Sequence, residues 1–269
     1  MGGVLCACCG WTYAALDVET TGLLPGVDAV IEVAVVLLDE HGEPTADWSS
    51  LVSPWREVDA TDTHGLTAQH LAGAPVLCQI AGRLDELLAG RVLVGQNIGF
   101  DLAMLAAEWR RLDQRRAWPS ADTPEAAAVL GRRGGKLDAL LGEMGVERAG
   151  SAHRAASDAE ATAQVWWRLL NEARARRVHL PLREPQGTVG GDQGHSPAPP
   201  DPGLPGAEAY RDDHAYYAGG PMTAPGRGRT AGAAATSRSA ARTDRTAERR
   251  WPGDRPANLR ESTHASRWP

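Results

Sequence analysis

The order of the apolar segments constrains the fold of this chain more than any other feature of the sequence. Three strand-like segments come first, at 12–18, 30–39 and 46–53, and a short loop containing His41-Gly42 joins the last two as a hairpin. Segments with helical spacing of apolar residues then alternate with short apolar runs. Such alternation requires a crossover onto a parallel strand. We therefore expect an α/β domain whose mixed sheet has three antiparallel strands followed by parallel strands, flanked by helices.

The second part of the chain supplies the elements of this alternation. The remaining strands are predicted at 91–96 and at a segment that ends near Asp122, and the helices at 75–89, 99–112, 124–130, 137–144 and 155–174. Antiparallel strands followed by strand and helix alternation are typical of a ribonuclease H-like sheet.

The composition changes near residue 180 and sets the domain boundaries. The chain from there onward is rich in proline, glycine, arginine and alanine, and a segment with so little apolar surface cannot offset the entropy lost on ordering. We predict a flexible N-terminal leader at 1–11, a ribonuclease H-like domain at 12–178 and a disordered tail at 179–269.

The charge balance excludes one class of nucleic-acid-binding protein. Residues 1–180 carry 16 basic and 24 acidic side chains, which argues against a broad basic surface that wraps duplex DNA. A small cleft that holds a strand end through metal ions stays compatible with this charge. Residues 221–269 carry ten arginines and four acids, which indicates either weak, salt-sensitive contact with nucleic acid or a solvated linker.

The cysteines and the apolar runs bear on the compartment. Cys6, Cys8, Cys9 and Cys78 form no regular disulfide framework, which favours a reducing compartment, and they lack the second ligand pair that a zinc site needs. The N-terminus has no signal-peptide pattern, and no apolar run is long enough to span a bilayer. We expect a soluble cytoplasmic protein that does not contact membranes.

Two acids interrupt the first predicted strand, where a buried strand should carry none. Asp17 and Glu19 are two residues apart, so both carboxylates lie on one face of the strand while Val18 lies on the other. Two like charges this close require protonation of one acid or a compensating cation. The alternative is a pair of acids at a solvated strand end.

A third acid stands where the fourth strand gives way to a helix. Asp101 falls in the first helical turn, where free amides and the helix dipole stabilise a carboxylate. Phe100, the only phenylalanine of the chain, precedes it and is suited to buttress the site from the core side. A simple N-terminal helix acid is the alternative interpretation of Asp101.

A histidine and a fourth acid mark the start of the last predicted helix. His153 and Asp158 are five residues apart, so they would not share a face of one helix, and His153 is expected in the approach loop. From there its imidazole could reach over a site to which Asp158 contributes. A structural or merely exposed histidine is the alternative.

These three motifs, in this order, resemble those of the DnaQ-like DEDDh 3′–5′ exonucleases, the family of the epsilon proofreading subunit of bacterial DNA polymerase III. The motifs are Asp17-x-Glu19, Asn97-x-x-Phe100-Asp101 and His153-x-x-x-x-Asp158, and the resemblance covers 12–172. Supporting matches are Thr20-Thr21-Gly22, 31–34, His64-Gly65-Leu66-Thr67, Asp122-Thr123 and 137–141. Gln96 departs from the pattern, since many relatives have histidine before the motif asparagine, and this concerns substrate fit more than catalysis.

The resemblance implies a ribonuclease H-like fold and hydrolysis with two divalent cations, Mg²⁺ or Mn²⁺. In that family's arrangement Asp17 bridges both ions, Glu19 and Asp158 complete one site, and Asp101 holds the other, partly through water. His153 is then the general base that takes a proton from the attacking water. The product is a nucleoside 5′-monophosphate.

The resemblance also implies where the substrate binds. The backbone of Thr20, Thr21 and Gly22 lies close to the 3′ end, and His64 and Leu66 line the cleft with Leu66 against the terminal bases. Asn97 contacts the terminal nucleotide or braces Asp101, next to Phe100. A polar-capped helix start is an equally compatible interpretation of the segment 64–67.

The implied substrate is the 3′ end of single-stranded or frayed DNA, because bases must be splayed apart to enter a narrow site. RNA is an alternative, and the alpha subunit of DNA polymerase III is a candidate partner. A non-catalytic interaction protein that keeps the fold and recruits partners through its tail is the competing hypothesis.

Overall fold

A computed structural model of the chain describes residues 3–5, 10–58, 61–133, 135–185 and 260–261. The strands are β1 (Gly3–Leu5), β2 (Tyr13–Thr20), β3 (Val30–Leu38), β4 (Pro44–Leu51), β5 (Val92–Gly95), β6 (Ser120–Asp122), β7 (Leu180–Leu182) and β8 (Arg260–Glu261). The helices are α1 (Thr61–His64), α2 (Ala68–Leu71), α3 (Leu77–Leu88), α4 (Ile98–Arg111), α5 (Thr123–Val129), α6 (Leu137–Glu143) and α7 (Ala155–Arg176).

The main sheet is mixed, as the order of apolar segments predicts. Its strand order is β6-β5-β2-β3-β4-β8, so the first long strand lies in the middle. Strands β2, β3 and β4 pair antiparallel, whereas β5 pairs parallel with β2 and β6 pairs parallel with β5. The expected fold class is confirmed, and each predicted helix and strand from 12 to 176 lies within a few residues of its expected bounds.

A layer of helices covers each face of the sheet. The side chains of β2 alternate between the two faces, and their contacts show which helices cover which face. Tyr13 and Ala15 face a core shared with α5, α6 and α7, whereas Ala14, Leu16 and Val18 face a core shared with α3 and α4. The rings of Tyr13 and Trp166 meet edge to face, with centroids 5.5 Å apart, and so hold α7 on the first face. By the same alternation, Asp17 and Glu19 lie on the face covered by α7.

A two-stranded sheet corrects the expected domain boundaries. Gly3–Leu5, inside the predicted leader, pairs antiparallel with Leu180–Leu182, beyond the predicted domain end. Both segments join the folded part because Leu5 and Leu180 are fully buried in the core of the α7 face. The rest of the predicted tail from 186 onward lies outside the described residues, except for Arg260–Glu261, which pairs with β4.

Two further features complete the described fold. Helices α1 and α2, which the apolar pattern does not predict, lie between β4 and α3. In the part of the chain that the structure describes, no helix combines the length and the apolar character needed to cross a membrane.

Candidate active site

The candidate site forms where β2 runs past its parallel neighbour. On β2, strand β5 pairs with the residues Tyr13–Ala15 alone. The β2 backbone beyond Ala15 therefore has no ladder partner on the β5 side. The side chain of Asp101, from the first turn of α4, takes this place: its Oδ1 accepts a hydrogen bond of 3.0 Å from the Val18 amide. A register irregularity between Glu19 and Thr20 then ends the regular pairing with β3, as is common beside active sites.

Three of the four predicted carboxylates converge on one point. One oxygen each from Asp17, Glu19 and Asp158 lie within 4.8 Å of one another. The first two come from one face of β2, and Asp158 comes from the first turn of α7, which packs on that face. Hard carboxylate oxygens at this spacing are the donors that Mg²⁺ and Mn²⁺ take in proteins. The donor set therefore fits a divalent cation.

Asp101 lies beside these three acids without joining their group. Its side chain is buried, and burial raises the pKa of Asp101 to about 8, against the lowering effect of the Val18 amide. Burial also raises the pKa of Asp17 well above its usual value, and the charges of Asp101 and Glu19 add to this shift. The Asp101 and Asp17 carboxylates are therefore close enough for their charges to interact, as is expected of two acids around one cation site.

Glu19 faces a buried acid that the sequence does not single out. Glu32 of β3 stands directly opposite Glu19 in the β2–β3 register. Burial, with the charge of Glu32 adding to it and Arg154 opposing it, raises the pKa of Glu19 to about 7. Glu32 is held by Arg154 through bonds of 2.8 and 3.0 Å and by the Ala155 amide at 3.1 Å.

The Glu32 contacts fix the start of α7, and therefore Asp158, against the central sheet. The signal that could have found Glu32 is an acid inside the otherwise apolar segment Val30–Leu38. Its partner Arg154 is 122 positions away, and no local pattern predicts that pairing.

Arg148 is a second functional candidate that sequence reasoning missed. Its guanidinium contacts the Asp158 carboxylate through Nη1 and the Asp138 carboxylate through Nε and Nη2. The Arg148 charge also opposes the rise in the pKa of Asp17 that burial causes. A positive side chain therefore reaches the acid group from the loop between α6 and α7.

His153 lies in the approach loop, as its spacing from Asp158 predicts. Its φ of 59° is in the left-handed region, which histidine tolerates better than most residues. Its backbone amide donates a 3.0 Å bond to Asp158 Oδ2, while its side chain is exposed. The backbone of the predicted base is thus tied to one of the predicted ligands.

Asn97 also has a left-handed backbone, with a φ of 60°, and caps the N-terminus of α4. Its amide donates a 3.1 Å bond to Asp122 Oδ1, and Arg183 lies 3.3 Å from the other oxygen of Asp122. The exposed Asn97 side chain stays accessible to a substrate. Left-handed non-glycine residues cluster at functional sites, and two of the four in the described chain belong to the predicted motifs.

Gln96, the departure from the family pattern, has a structural role. Its Oε1 accepts a 2.8 Å bond from the Thr123 hydroxyl, and its Nε2 donates to the Gly135 carbonyl. Phe100 is partly buried against the α3–α4 core, which is the buttressing position expected for it.

The segment after the acids shapes a loop around Asp28. Thr21 donates to Asp28 Oδ1 at 3.2 Å and accepts from the Ala29 amide at 3.0 Å. A side chain on Gly22 would meet Asp28 Oδ2 at 2.5 Å, so only glycine fits. Thr20 donates to the Gly22 carbonyl at 2.6 Å. The threonine side chains are therefore hydrogen-bonded within the loop.

The segment 64–67 packs differently from expectation. Leu66 is 3% exposed and lies with Ile31 and Leu71 in a small apolar cluster. Buried His64 accepts a 3.0 Å bond from the Leu66 amide through Nδ1. Thr67 is the N-cap residue of α2, which agrees with the alternative interpretation of this segment as a capped helix start.

Comparison with known proteins agrees with this geometry. The family model described as "Exonuclease" matches residues 14–166. A "DNA polymerase III subunit epsilon-like protein" of Rhodobacter capsulatus is 33% identical over 172 residues, which cover 61% of this chain and 24% of that protein. A "DNA polymerase III PolC-type" of Oceanobacillus iheyensis is 31% identical over 183 residues, or 65% of this chain and 13% of that protein. The chain thus spans a quarter or less of these relatives.

A solved structure shares the fold. The nuclease domain of 3′hExo, a DEDDh family member bound to rAMP, aligns with a TM-score of 0.56 at 17% identity, covering 66% of this chain and 98% of that domain. The family match extends over more than half of the chain and includes all five predicted catalytic residues, from Asp17 to Asp158. The expected resemblance is confirmed, and the chain belongs to the exonuclease family.

Proposed function

We propose that this chain is a metal-dependent 3′–5′ exonuclease that removes nucleoside 5′-monophosphates from the 3′ end of single-stranded or frayed DNA. The observation that carries the proposal is the convergence of Asp17, Glu19 and Asp158 within 4.8 Å, inside a chain of the exonuclease family. A non-catalytic protein of this fold has no need of three carboxylates at one point, since their mutual repulsion destabilises the folded state.

The acids divide into two roles. Asp17, Glu19 and Asp158 would hold one divalent cation, and Asp101, next to Asp17, would serve a second one, partly through water. Two Mg²⁺ or Mn²⁺ ions at such a site supply charge neutralisation at the scissile phosphate and stabilise the leaving oxygen. The Asp101 bond to Val18 keeps the α4 carboxylate at the end of β2 before any ion arrives.

His153 is the proposed general base. It takes the proton from the attacking water, a role in which histidine is the side chain used most often. The bond from its amide to Asp158 places this residue beside the acids, and the exposed side chain can turn toward a bound strand end.

The strand end is proposed to lie along the loop backbone of Thr20, Thr21 and Gly22, with the exposed side chain of Asn97 at the terminal nucleotide. Phe100 supports Asp101 from the core side. His64 and Leu66 would shape this region from beneath, since both side chains are buried.

DNA is the proposed substrate because the two relatives described above are named as DNA polymerase III proteins. RNA is the second candidate, and the observation that favours it is the structural similarity to a nuclease domain bound to rAMP. The same relatives suggest the alpha subunit of DNA polymerase III as a partner, and co-purification of the two proteins tests this.

Polarity, metal dependence and sugar preference can be read from one set of assays. Oligonucleotides of equal sequence in DNA and RNA, labelled at the 5′ end, are incubated with the full chain in Mg²⁺, Mn²⁺ or EDTA. The proposal predicts a ladder of shortening 5′-labelled products in either metal, none in EDTA, and faster loss of DNA than of RNA. Release of the label as a mononucleotide at the earliest times would show 5′–3′ polarity and contradict it.

A further inference from the structure

The loop between α6 and α7 brings a guanidinium to the acid group. Arg148 contacts Asp158, one of the three converging carboxylates, and its side chain is only 14% exposed. Its other contact is Asp138 of α6, whose side chain is 71% exposed. Arg148 therefore bridges a partly buried acid of the site and an acid on the surface.

Of the two arginines that act on these acids, Arg148 is the one directly paired with a converging acid. Arg154 donates two bonds to Glu32, which is outside the converging group. Close carboxylates at low exposure need a nearby cation to stay ionised together. Arg148, in contact with Asp158, supplies part of that positive charge.

The backbone around Arg148 is fixed, whereas its side chain has two partners. The Ser157 hydroxyl on α7 donates a 2.8 Å bond to the Ala149 carbonyl, and Gly150 packs against the same serine. The loop is thus attached to the helix that carries Asp158. The guanidinium can leave Asp158 by side-chain rotation alone and keep Asp138 as its partner.

We propose that Arg148 is an internal counter-ion of the acid group, which divalent cations displace when they bind, and that it thereby sets the cation affinity of the site. This inference rests on the proposed function, since it presumes that cations bind at these acids. A dication and a guanidinium cannot share Asp158 without strong repulsion. Arg148 then moves outward onto Asp138, and that surface acid lowers the cost of the exchange.

The test is a calorimetric titration of the EDTA-treated and dialysed full chain with Mn²⁺. Arg148→Gln removes the competing charge, so we expect about tenfold tighter Mn²⁺ binding than in the wild type. Arg132→Gln is the matched control: Arg132 pairs with Glu143 and Glu172, away from the site, and its loss should leave the affinity unchanged. Equal affinity in Arg148→Gln and the wild type would overturn the inference.

Asp138→Asn supplies a second test on an exposed side chain, whose replacement does not threaten folding. Without Asp138 the displaced guanidinium has no partner, so we expect Mn²⁺ binding to weaken by a factor of about three. In the Arg148→Gln background this effect should vanish, as a double-mutant cycle shows directly. An equal effect in both backgrounds would mean that Asp138 acts only through its own charge, and would contradict the exchange.

The same titration distinguishes failure of the proposed metal site from failure of the proposed role of Arg148. Absence of Mn²⁺ binding in the wild type and in all variants would refute the proposed metal site itself. Binding in the wild type with no response to Arg148→Gln would refute only the role of Arg148.

Discussion

At the scale of single residues, the acids of the candidate site were predictable and their partners were not. Asp17 and Asp101 stand out because each interrupts or follows an apolar run where a charge is costly. Glu32 and Arg148 gain their roles only through tertiary contacts, which no local spacing encodes. Leu66, which the resemblance places against the terminal bases, is 3% exposed in a small apolar cluster, and the spacing of the segment 64–67 does not show this burial.

Glu32 holds the start of α7, and its removal should affect both stability and rate. We expect Glu32→Gln to lower the free energy of unfolding by about 1–3 kcal/mol, because the amide has one acceptor oxygen and no charge, whereas both carboxylate oxygens accept bonds from Arg154 or Ala155. We expect kcat to fall about tenfold with KM little changed, since Asp158 shifts relative to β2. Denaturant melts and steady-state kinetics measure the two effects.

The control for Glu32→Gln is Arg176→Gln, which breaks the surface pair of Arg176 with Glu172 on the same helix. Its stability and kinetics should stay close to those of the wild type. An Arg176→Gln protein as impaired as Glu32→Gln would show that any lost ion pair of α7 has this effect.

The raised pKa values of the buried acids predict how stability changes with pH when no cation is present. The folded-state pKa of Glu19 is about 7 and that of Asp101 about 8, whereas both are near 4 in an unfolded chain. Between about pH 4 and pH 8 the folded state therefore binds more protons, and the free energy of unfolding falls as the pH rises.

Glu19→Gln removes one of these groups. In EDTA we expect its stability to fall less steeply than that of the wild type between about pH 5 and 7. Glu86→Gln, a change on the exposed face of α3, should keep the wild-type slope. Thermal melts across this pH range provide the measurement, and parallel curves for Glu19→Gln and the wild type would disprove the account of Glu19.

At the scale of elements, the sequence predicts α7 well because its apolar stripe has a clear helical period. The pattern does not show that α7 packs on the β2 face that carries Asp17 and Glu19. The edge-to-face contact between the rings of Tyr13 and Trp166 shows this only in the folded chain. The short helices α1 and α2 escape prediction, since four residues are too few to establish a period.

Adjacent tryptophans on α7 offer a matched test of this packing. Trp166 is fully buried against Tyr13, so we expect Trp166→Ala to destabilise the protein by about 3–5 kcal/mol. Trp167 is partly exposed and donates one bond to Glu43, so Trp167→Ala should cost about 1 kcal/mol. Urea denaturation of both variants decides, and equal losses would contradict the assigned helix face.

At the scale of the whole molecule, the change in composition near residue 180 predicts where the tail begins, and strand β7 lies inside that predicted tail. The exact boundary depends on a long-range pairing: β7 bonds to β1, and Arg183 continues from it to exchange two backbone bonds with Ser120. Pairing between segments this far apart leaves no trace in composition, which is why residues 180–182 were assigned to the tail.

Two truncations test this boundary. A chain ending at Arg177 loses the buried Leu180 and Leu182, and we expect it to be at least about 3 kcal/mol less stable than the full chain. A chain ending at Pro185 keeps both and should match the full chain in stability. If both truncated chains melt alike, β7 contributes nothing to the fold.

The central claim is that Asp17, Glu19 and Asp158 form one cation site that drives hydrolysis. The most direct measurement is the rate at which 5′-labelled single-stranded DNA is shortened in Mn²⁺, compared for the wild type, Asp17→Ala and the exposed-acid control Glu86→Gln. We predict that Asp17→Ala lowers the rate by roughly three orders of magnitude while Glu86→Gln matches the wild type. Equal rates for Asp17→Ala and the wild type would contradict the account.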